Sequence, residues 1–569
     1  MALGEIVFAS RSKEKAFRDP DTIVSAQTMA EVLPALEQVQ HFVDDGKWAA
    51  GFVSYDAAPA FDPAFECHAP SDVPLVWFGI YEKSTKIDPR TGSYVVSEWE
   101  SALTRDDYRS HIKQILDYIS AGDTYQVNYT FPLHATFSGD AFCWFRDLRA
   151  AQQADYCAYV DTGRFKIICV SPEQFFTLKD GVLRTRPMKG TRPRGRWLEE
   201  DEHLAEELLL SEKDRAENVM IVDLLRNDMG RISDTGSVHV EQLFAVERYP
   251  TVWQMTSRIA SRTRARMPEI MRALFPSGSV TGAPKVRTMQ LLAEFEQYPR
   301  GVYCGAIGWI SPAGNAAFNV AIRCATIDGR SGVAEYPVGS GITWDSNPES
   351  EFLECLSKAA VLTTDVAAFD LFETVLFHNR FFLAEEHIAR LLRSARYFGI
   401  RVEAANVREA LAATVQNGTS APMRIRVLVN PAGQVRVESQ AADKPASMRV
   451  GLARKYVQST DIHLFHKTTH RAVYDQARAT RPDCDDVILW NERGELTEST
   501  IANIVLELDG KFVTPPVSCG LLAGTFREHL LRNHVIHERV LEKADLRRAK
   551  GIYLINSVRR WVPATLVDR

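Results

Sequence analysis

The sequence predicts two consecutive domains, each built of mixed α and β structure. From Thr104 onward, segments with the apolar periodicity of helices alternate with segments that alternate like strands. After about residue 366 a strand-rich pattern begins again and has its own helix, AEEHIARLLRSARYFGI. The 569 residues are enough for two or three large domains. We place the domains at residues 1–362 and 366–569, with the boundary near 362–366 and no Pro/Gly/Ser-rich linker.

The composition is that of an ordinary soluble chain and excludes several classes of protein. The net charge of -6 gives no general reason to expect nucleic acid or an anionic membrane as a partner. The sequence has no apolar run long enough for a membrane helix and no signal-peptide pattern at its start. The nine cysteines are scattered singly, and their odd number argues against a closed set of disulfides. We expect a cytoplasmic protein.

The predicted elements follow in chain order. Short apolar runs broken by Gly, Pro and Asp predict β-structure from Ile6 to about Asp88. TRDDYRSHIKQILDYISAG predicts a helix that ends at Gly122, and DTYQVNYTFPL alternates like a strand. DSNPESEFLECLSKAAVL predicts another helix, with Asn347 as its N-cap and Pro348 in its first position.

Two predicted helices carry pairs of acidic residues. Asp214 and Glu217 lie three residues apart in SEKDRAENVMIVDLLRND, and Glu351 and Glu354 have the same spacing after Asn347. Residues at this spacing share one helix face. Four such carboxylates would suit Mg²⁺, which prefers oxygen ligands and retains waters that a substrate carboxylate can replace. From these residues alone, solvated helix faces with salt bridges are the commoner interpretation.

Three further segments indicate a site for an anionic substrate. RPMKGTRPRG places Lys189 near Arg186, Arg192 and Arg194, and neighbouring cations lower the pKa of a lysine and make its amine more nucleophilic. FPSGSVTGAPKVRTMQLL reads as a turn leading into a helix, whose N-terminus attracts anions. NVAIRCATI predicts Arg323 in an apolar strand, where it needs an anionic partner. Each segment has a simpler alternative. The Lys189 segment could be a solvated basic loop and the second segment an ordinary start of a helix. The partner of Arg323 could be an Asp or Glu of the protein itself.

The C-terminal domain contains a different group of polar residues. LFHKTTHRAVYDQAR contains Lys467, GELTESTIANIVLEL contains Glu498 and Asn503, GLLAGTFREHLL begins a helix after Gly, and INSVRRW contains Ser557. A pyridoxal-phosphate site requires a lysine for the aldehyde, a carboxylate for the pyridinium nitrogen and a helix N-terminus for the phosphate. Each of these features alone is weak evidence for such a site, because a lysine near a loop, for example, is more often exposed to solvent.

The first domain resembles the chorismate-utilising enzymes, which include anthranilate synthase, isochorismate and salicylate synthases and aminodeoxychorismate synthase component I. The resemblance implies a large α+β fold with two β-sheets packed face to face and helices outside. Seven motifs carry it, in one order across residues 104–360: SPEQF, PMKGTRPRG, SEKDRAENVMIVDLLRNDMGR, GSVTGAPKVRTMQLL, YCGAIGW, AIRC and GSGITWDSNPESEFLE.

The resemblance also implies roles for individual residues. Glu217 and Glu354 would bind Mg²⁺ directly. Asp214 and Glu351 would interact with the ion through water or at longer range. Chorismate would be bound by side chains and by backbone from three parts of the domain: Ser279, Tyr303, Arg323, Gly339 and Gly341.

Two positions indicate the branch of this family. Lys189 stands where the anthranilate enzymes have alanine, and in the aminodeoxychorismate synthases the equivalent lysine attacks C2 of chorismate and expels the C4 hydroxyl. Gln126 stands where isochorismate-type enzymes have a water-activating lysine, which implies that ammonia, not water, is the incoming group. One departure is that YPTVWQMTS has Trp253 and Gln254 where family members commonly carry a histidine.

The second domain resembles the class IV aminotransferases of fold type IV, an α/β fold of two subdomains. HIARL, HKTT, LTESTIANI and LAGTFR carry the resemblance across residues 368–569, and LFETV with KTTHRAVYDQAR is most similar to 4-amino-4-deoxychorismate lyase. The resemblance implies that Lys467 bonds pyridoxal 5'-phosphate and acts as acid and base. The implied cofactor-binding residues are Arg390, Lys467, Glu498, Asn503, Thr525, Phe526 and Ser557.

Together the two resemblances imply synthesis of p-aminobenzoate, a folate precursor, from chorismate and ammonia. Nothing in the sequence resembles a glutaminase, so ammonia would come from solution or from a separate glutamine amidotransferase subunit. Fold type IV enzymes usually place their sites near a dimer interface, which implies a homodimer. The alternatives are a second domain that is an amino-acid transaminase, a first domain that is an anthranilate synthase, and a non-enzymatic scaffold.

Overall fold

The computed structural model describes residues 4–11, 13–87, 90–363, 369–415 and 421–567. The chain forms two compact units: Met1–Pro193 with Ala205–Val366, and Arg194–Leu204 with Ala367–Arg569. Residues 194–204 therefore belong by their contacts to the second unit, although in the sequence they fall within the first domain. The boundary predicted near residues 362–366 falls partly on residues 364–366, which lie outside the described residues.

The first unit contains two ten-stranded antiparallel sheets. The strands of one sheet are β1 (Ile6–Ala9), β2 (Glu14–Phe17), β6 (Tyr94–Val96), β7 (Glu100–Ser101), β8 (Gln126–Gly139), β9 (Tyr156–Asp161), β10 (Phe165–Ser171), β16 (Gly282–Ala283), β19 (Cys324–Asp328) and β20 (Val333–Ile342). The strands of the other are β3 (Thr22–Ala26), β4 (Trp48–Val53), β5 (Val76–Tyr81), β11 (Gln174–Lys179), β12 (Val182–Arg186), β13 (Met188–Pro193), β14 (His239–Arg248), β15 (Val252–Arg262), β17 (Ala306–Ile310) and β18 (Ala316–Val320).

The helices of the N-terminal part are α1 (Met29–Asp44), α2 (Arg105–Ser120), α3 (Ala141–Gln152), α4 (Leu198–Leu210), α5 (Glu212–Gly230), α6 (Met267–Leu274), α7 (Lys285–Phe295) and α8 (Pro348–Ala359). The predicted helices α2 and α8 are confirmed. Thr104 caps α2 by accepting from the N–H of Asp107, and Asn347 caps α8 by accepting from Glu349 and Ser350. The β-structure predicted for the early region is confirmed by β1 to β5, but the region also contains α1, which was not predicted.

The main hydrophobic core lies between the two sheets, as the family resemblance predicts. Along β9, Ala158 and Val160 join the core cluster that contains both sheets, whereas Cys157 and Tyr159 join the cluster beneath the helices on the other face. Side chains alternate between the two faces of a strand, so this sheet is buried on both sides.

The second unit contains a four-stranded and an eight-stranded sheet. The strands of the smaller sheet are β21 (Leu371–His378), β22 (Arg380–Phe381), β23 (Met423–Val429) and β24 (Val435–Ala441). The strands of the larger are β25 (Met448–Leu452), β26 (Asp486–Trp490), β27 (Leu496–Ser499), β28 (Asn503–Leu508), β29 (Lys511–Thr514), β30 (His537–Glu538), β31 (Gly551–Asn556) and β32 (Arg560–Leu566). The helices are α9 (Ala384–Phe398), α10 (Ala404–Thr414), α11 (Ala472–Ala479), α12 (Thr525–Arg532) and α13 (Asp545–Arg548).

Residues 194–204 complete the second unit. The ring of Trp197 packs on Phe465 with centroids 5.3 Å apart. The hydroxyl of Tyr397 donates to the carbonyl of Gly195 at 2.7 Å. Across the described ranges of both units, every helix is too short or too polar to span a membrane.

Gly51 provides a test of the sheet packing in the first unit. A Cβ at Gly51 would lie 2.0 Å from the Trp77 carbonyl oxygen and 2.7 Å from the Phe78 Cα, both on the paired strand β5. We expect Gly51→Ala to destabilise the first unit by about 1–3 kcal/mol, because backbone atoms must move. Calorimetry measures this as a lower melting temperature. Gly230→Ala is the control, because a Cβ at Gly230 meets nothing within 4 Å. Equal melting of the two variants would contradict this packing.

Candidate active sites

A cavity of about 300 Å³ in the first unit is lined by every residue that the sequence predicted for this domain's site. These residues come from distant parts of the chain: Lys189, Asp214, Glu217, Ser279, Tyr303, Arg323, Gly339, Gly341, Glu351 and Glu354. Strand β13 provides the lysine, while α5 and α8 each provide one pair of carboxylates. The fold thus brings together an amine, four acids and an arginine.

Lys189 is partly removed from water, and burial lowers the pKa of its amine. Glu217 and Glu173 oppose this effect by favouring the charged amine. A lowered pKa increases the uncharged fraction of the amine, which is the nucleophilic form.

The predicted cause of this lowered pKa was wrong. Sequence reasoning attributed it to the neighbouring arginines, but each of these is paired with an acid. Arg192 donates to Asp214 at 2.8 Å, and Arg186 to Glu247 at 3.2 Å. Arg194 pairs with Asp201 at 2.6 Å within the second unit.

Glu173 is a buried acid that sequence reasoning did not single out. It follows β10 in SPEQF and is only 3% exposed. Burial raises its pKa to about 7, although hydrogen bonds from the Ser279 hydroxyl and the Met188 backbone oppose the rise. At neutral pH Glu173 can therefore hold or release a proton beside Lys189. The available signal was an acid inside the otherwise apolar run IICVSPEQFF.

The carboxylates of α5 and α8 have the chemistry of a hard-metal site. Burial raises the pKa of both Glu217 and Glu351. Glu354 pairs with Lys358 at 2.6 Å, and Asp214 with Arg192. No salt bridge or hydrogen bond joins Glu217 to another described residue, so its carboxylate is open to a ligand.

Within the described ranges, no three His, Cys, Asp or Glu side chains gather closely enough to bind one ion. Mg²⁺ commonly takes one or two protein carboxylates and completes its shell with water and substrate. The carboxylates present would therefore fit a magnesium ion whose remaining ligands are water and substrate.

The remaining residues of the first cavity shape its walls. Arg323 was expected inside a strand, which is wrong, because it lies between β18 and β19 in the left-handed region with φ 52°. Its guanidinium donates to the Lys358 carbonyl. The Gly339 carbonyl accepts from Lys358 at 2.8 Å. A Cβ at Gly341 would lie 2.6 Å from the Gln126 amide nitrogen and 3.1 Å from Lys189 Nζ, so a side chain there would displace these two polar groups.

Gln254 occupies the region where the family histidine was expected. Its amide donates to the Gly190 carbonyl at 2.9 Å and accepts from the Thr191 hydroxyl at 3.1 Å. Trp253 pairs with Arg192 in the ladder of β13 and β15. Gln254 therefore holds the backbone next to Lys189 in place.

A cavity of about 490 Å³ in the second unit is lined by all seven residues predicted for the cofactor: Arg390, Lys467, Glu498, Asn503, Thr525, Phe526 and Ser557. Burial, followed by repulsion from Arg390, lowers the pKa of Lys467 to about 8. Its amine is therefore partly uncharged near neutral pH.

Glu498 is a buried acid held by three donors. The hydroxyl of Tyr474 donates at 2.8 Å, the N–H of Leu522 at 3.2 Å and the amide of Asn503 at 3.2 Å. Burial raises the pKa of Glu498 to about 7. A pyridinium nitrogen would give this carboxylate the cationic partner that it lacks.

The other end of the second cavity is organised by Glu373 and His387, which sequence reasoning missed. Glu373 accepts two hydrogen bonds from Arg390, at 2.8 and 2.7 Å, and one contact from His387 at 2.7 Å. The far nitrogen of His387 lies 2.9 Å from the Ser557 hydroxyl and 3.1 Å from that of Thr525. The sequence signal for His387 was its position in HIARL, three residues before Arg390.

This end fits a phosphate group. Gly524 is the N-cap of α12, and the first N–H groups of a helix have no partner within it. A Cβ at Gly524 would lie 2.0 Å from the Asn503 side chain, so glycine allows this close approach. Arg390 uses one of its N–H groups on Ala523 and two on Glu373, which leaves two of the five for a ligand.

Comparisons with known proteins assign a family to each domain. Residues 89–364 match the family of chorismate binding enzymes, and residues 370–567 match amino-transferase class IV. Aminodeoxychorismate synthase component 1 of Salmonella typhimurium is 36% identical over 341 residues, which are 60% of this chain and 71% of the relative. The chain therefore belongs to the chorismate-binding enzyme family and carries a class IV aminotransferase domain.

Two further relatives concern the first unit. Aminodeoxychorismate synthase component 1 of Escherichia coli is 40% identical over 278 residues, 48% of this chain. The chain spans only 61% of the length of that relative. The crystal structure of anthranilate synthase component I from Streptococcus pneumoniae has a TM-score of 0.54 at 25% identity and covers 64% of this chain and 92% of its own. The resemblances and fold classes predicted from sequence are confirmed.

Glu373 provides a test of the phosphate end of the second cavity. Burial alone would raise the pKa of Glu373, but Arg390 and His387 lower it well below its ordinary value. We expect Glu373→Gln to weaken pyridoxal-phosphate binding at least about tenfold, because the Glu373 carboxylate fixes the orientation of the Arg390 guanidinium through two hydrogen bonds. Absorbance titration of the cofactor measures the affinity. Glu385→Gln is the control, an exposed acid on α9 that pairs with Arg408. Unchanged affinity in Glu373→Gln would refute the arrangement.

Proposed function

We propose that the chain makes p-aminobenzoate from chorismate in two steps. The first domain, residues 1–362, replaces the C4 hydroxyl of chorismate by an amino group to give 4-amino-4-deoxychorismate. The second domain, residues 366–569, eliminates pyruvate from this product. The observation that carries the proposal is that each cavity contains a lysine whose pKa is lowered by burial and a buried acid whose pKa is raised to about 7: Lys189 with Glu173, and Lys467 with Glu498.

In the first step the amine of Lys189 attacks C2 of chorismate. Glu173, protonated below about pH 7, gives its proton to the C4 hydroxyl, which leaves as water. Ammonia then adds at C4, the bond from C2 to the lysine breaks, and the Glu173 carboxylate accepts a proton from the new amino group. The amine of Lys189 is thereby restored.

The other lining residues bind and orient chorismate. Arg323 and Tyr303 receive a carboxylate of the substrate, and the backbone at Gly339 and Gly341 lets the ring approach Lys189. Glu217 and Glu354 would hold Mg²⁺, and Asp214 and Glu351 would interact with the ion through water or at longer range. The ion would neutralise a substrate carboxylate that otherwise faces four acids.

In the second step pyridoxal 5'-phosphate would supply an electron sink for the bond that breaks. Lys467 would bond its aldehyde and move protons at the substrate, while Glu498 pairs with the ring nitrogen and Asn503 holds Glu498. Ser557, Arg390 and the backbone at Thr525 and Phe526 would bind the phosphate. Aromatisation of the ring drives loss of pyruvate, so no external amino acceptor is needed.

The source of ammonia is a separate question. The relatives in the comparison are called component 1, which implies a further component. We propose a separate glutamine amidotransferase subunit as partner, a homodimer through the second domain, and a cytoplasmic location. The isolated chain would then use ammonium but not glutamine.

Alanine at each lysine tests the two steps separately. The purified chain is incubated with chorismate, Mg²⁺, ammonium and pyridoxal phosphate, and products are separated by chromatography. We expect Lys189→Ala to form no aminated product and Lys467→Ala to accumulate 4-amino-4-deoxychorismate without pyruvate. Fluorescent anthranilate as the product would refute the branch of the first domain. A need for a 2-oxo acid would identify a transaminase instead of a lyase.

Glu173 predicts the pH dependence of amination. Its pKa is raised to about 7, so the protonated form is present below that pH and is lost above it. At a constant concentration of free ammonia, we expect the amination rate to fall above about pH 7, and Glu173→Gln to lose this limb and about 10²–10⁴-fold of the rate. Initial rates of chorismate consumption across pH check this. Glu294→Gln, an exposed acid on α7, is expected to behave like the wild type. A wild-type profile in Glu173→Gln would exclude the proton-transfer role.

A further inference from the structure

The second cavity contains more positive charge than the cofactor-binding residues explain. Six arginines and one lysine line it, against three acids: Asp443, Asp485 and Glu498. Arg390 and Lys467 already serve the cofactor in the proposed function. The arginines left over are Arg424, Arg426, Arg471, Arg478 and Arg559. Such an excess of guanidinium groups in a partly closed cavity favours an anionic ligand beyond the phosphate.

Arg426 lacks a close anionic partner. Its Nε is buried and has no hydrogen-bond partner in the part of the chain that the structure describes. The carboxylate of Glu438 lies 3.9 Å from its Nη1, which is longer than a hydrogen bond. A buried N–H without an acceptor costs free energy, and a bound carboxylate would recover it.

Arg426 and Arg471 both lie close to the reacting lysine. The Arg426 guanidinium is 4.2 Å from the centroid of the Phe372 ring, and Lys467 Nζ is 4.7 Å from the same centroid. The Arg471 guanidinium lies 4.5 Å from the centroid of Tyr474, which donates to Glu498. The two arginines therefore border the space where a substrate amine would reach Lys467.

Electrostatics support the same placement. Burial lowers the pKa of Arg426, and Arg471 is among the cations that repel it. Arg471 also contributes to the lowered pKa of Lys467. These repulsions mean that the three cations share one region, which a ligand with more than one negative charge would stabilise.

We propose that Arg426 and Arg471 form a carboxylate-binding pair that selects substrates with two carboxylates. The inference rests on the proposed lyase activity, whose substrate has one carboxylate on its ring and one on its enolpyruvyl group. A guanidinium binds a carboxylate through two parallel hydrogen bonds. An amino acid with an apolar side chain offers one carboxylate and leaves one arginine unpaired, so the pair discriminates against it.

The test compares full-length wild type, Arg426→Gln and Arg471→Gln, each loaded with pyridoxal phosphate. The probe is 3-(carboxymethoxy)benzoate, with benzoate as its counterpart carrying one carboxylate. Binding is followed through the visible absorbance of the cofactor, which reports on this cavity alone. Arg408→Gln is the matched control, because Arg408 is an exposed arginine on α10 that pairs with Glu385 and is not among the described residues that line the cavity.

We expect each variant to bind the dicarboxylate probe at least about tenfold more weakly, and benzoate with a smaller change, because one charged contact is lost. The KM for pyruvate release should rise in parallel, while the control matches the wild type. If a glutamine variant fails to take up cofactor, Arg426→Lys replaces it, because lysine keeps the charge but cannot form the two parallel hydrogen bonds. We expect Arg426→Lys to bind the dicarboxylate probe several-fold more weakly than the wild type.

The outcomes separate the two proposals. Equal probe affinities and equal KM values in wild type and all variants would overturn the carboxylate pair and leave the lyase activity standing. A wild type that releases no pyruvate, yet prefers the dicarboxylate in an arginine-dependent way, would overturn the lyase activity and retain the pair.

Discussion

Partial removal of two lysine amines from water is the constraint on which both sites depend. An amine that remains charged at neutral pH is not a nucleophile, and desolvation is the largest cause that lowers the pKa of both Lys189 and Lys467. Each amine also needs acids nearby, and ionised acids would restore its charge. The protein resolves this conflict in two ways. Burial raises the pKa of both Glu173 and Glu498 to about 7, so that each can be protonated near its lysine, whereas Glu373 stays ionised because Arg390 and His387 neutralise it.

The two cavities differ in how their charges are balanced. Five acids and five cationic side chains line the first, and a divalent cation would add the positive charge that favours an anionic substrate. The second has a surplus of arginines, which favours phosphate and carboxylate ligands.

Sequence reasoning predicted those features that are local. The periodicity of α2 and the capping residues of α8 are visible within short windows, so both helices were predicted correctly. The helix α1 was missed although Thr28 and Glu31 form a capping box, because the prediction relied on the short apolar runs of the region, which indicate strands. The motifs led to residues that do line the two cavities.

The parts that could not be predicted depend on contacts between distant segments. Arg323 adopts a positive φ between two strands, which no local pattern shows. The pairing of Arg192 with Asp214 depends on how β13 meets α5, so the cause of the lowered Lys189 pKa was misjudged. The role of Glu373 and His387 depends on the contact between them and on the contact of His387 with Ser557, neither of which the sequence shows.

The short segment 194–204 makes the second unit dependent on a distant stretch of chain. Trp197 covers Phe465, and the Gly195 carbonyl receives the Tyr397 hydroxyl, so a fragment beginning at residue 367 would lack part of its own packing. During synthesis, residues 194–204 leave the ribosome well before residues 367–569 are made. The Trp197 side chain therefore stays exposed to solvent until those residues have been synthesised. Proteolysis between the units would consequently release a C-terminal fragment that lacks the packing of residues 194–204.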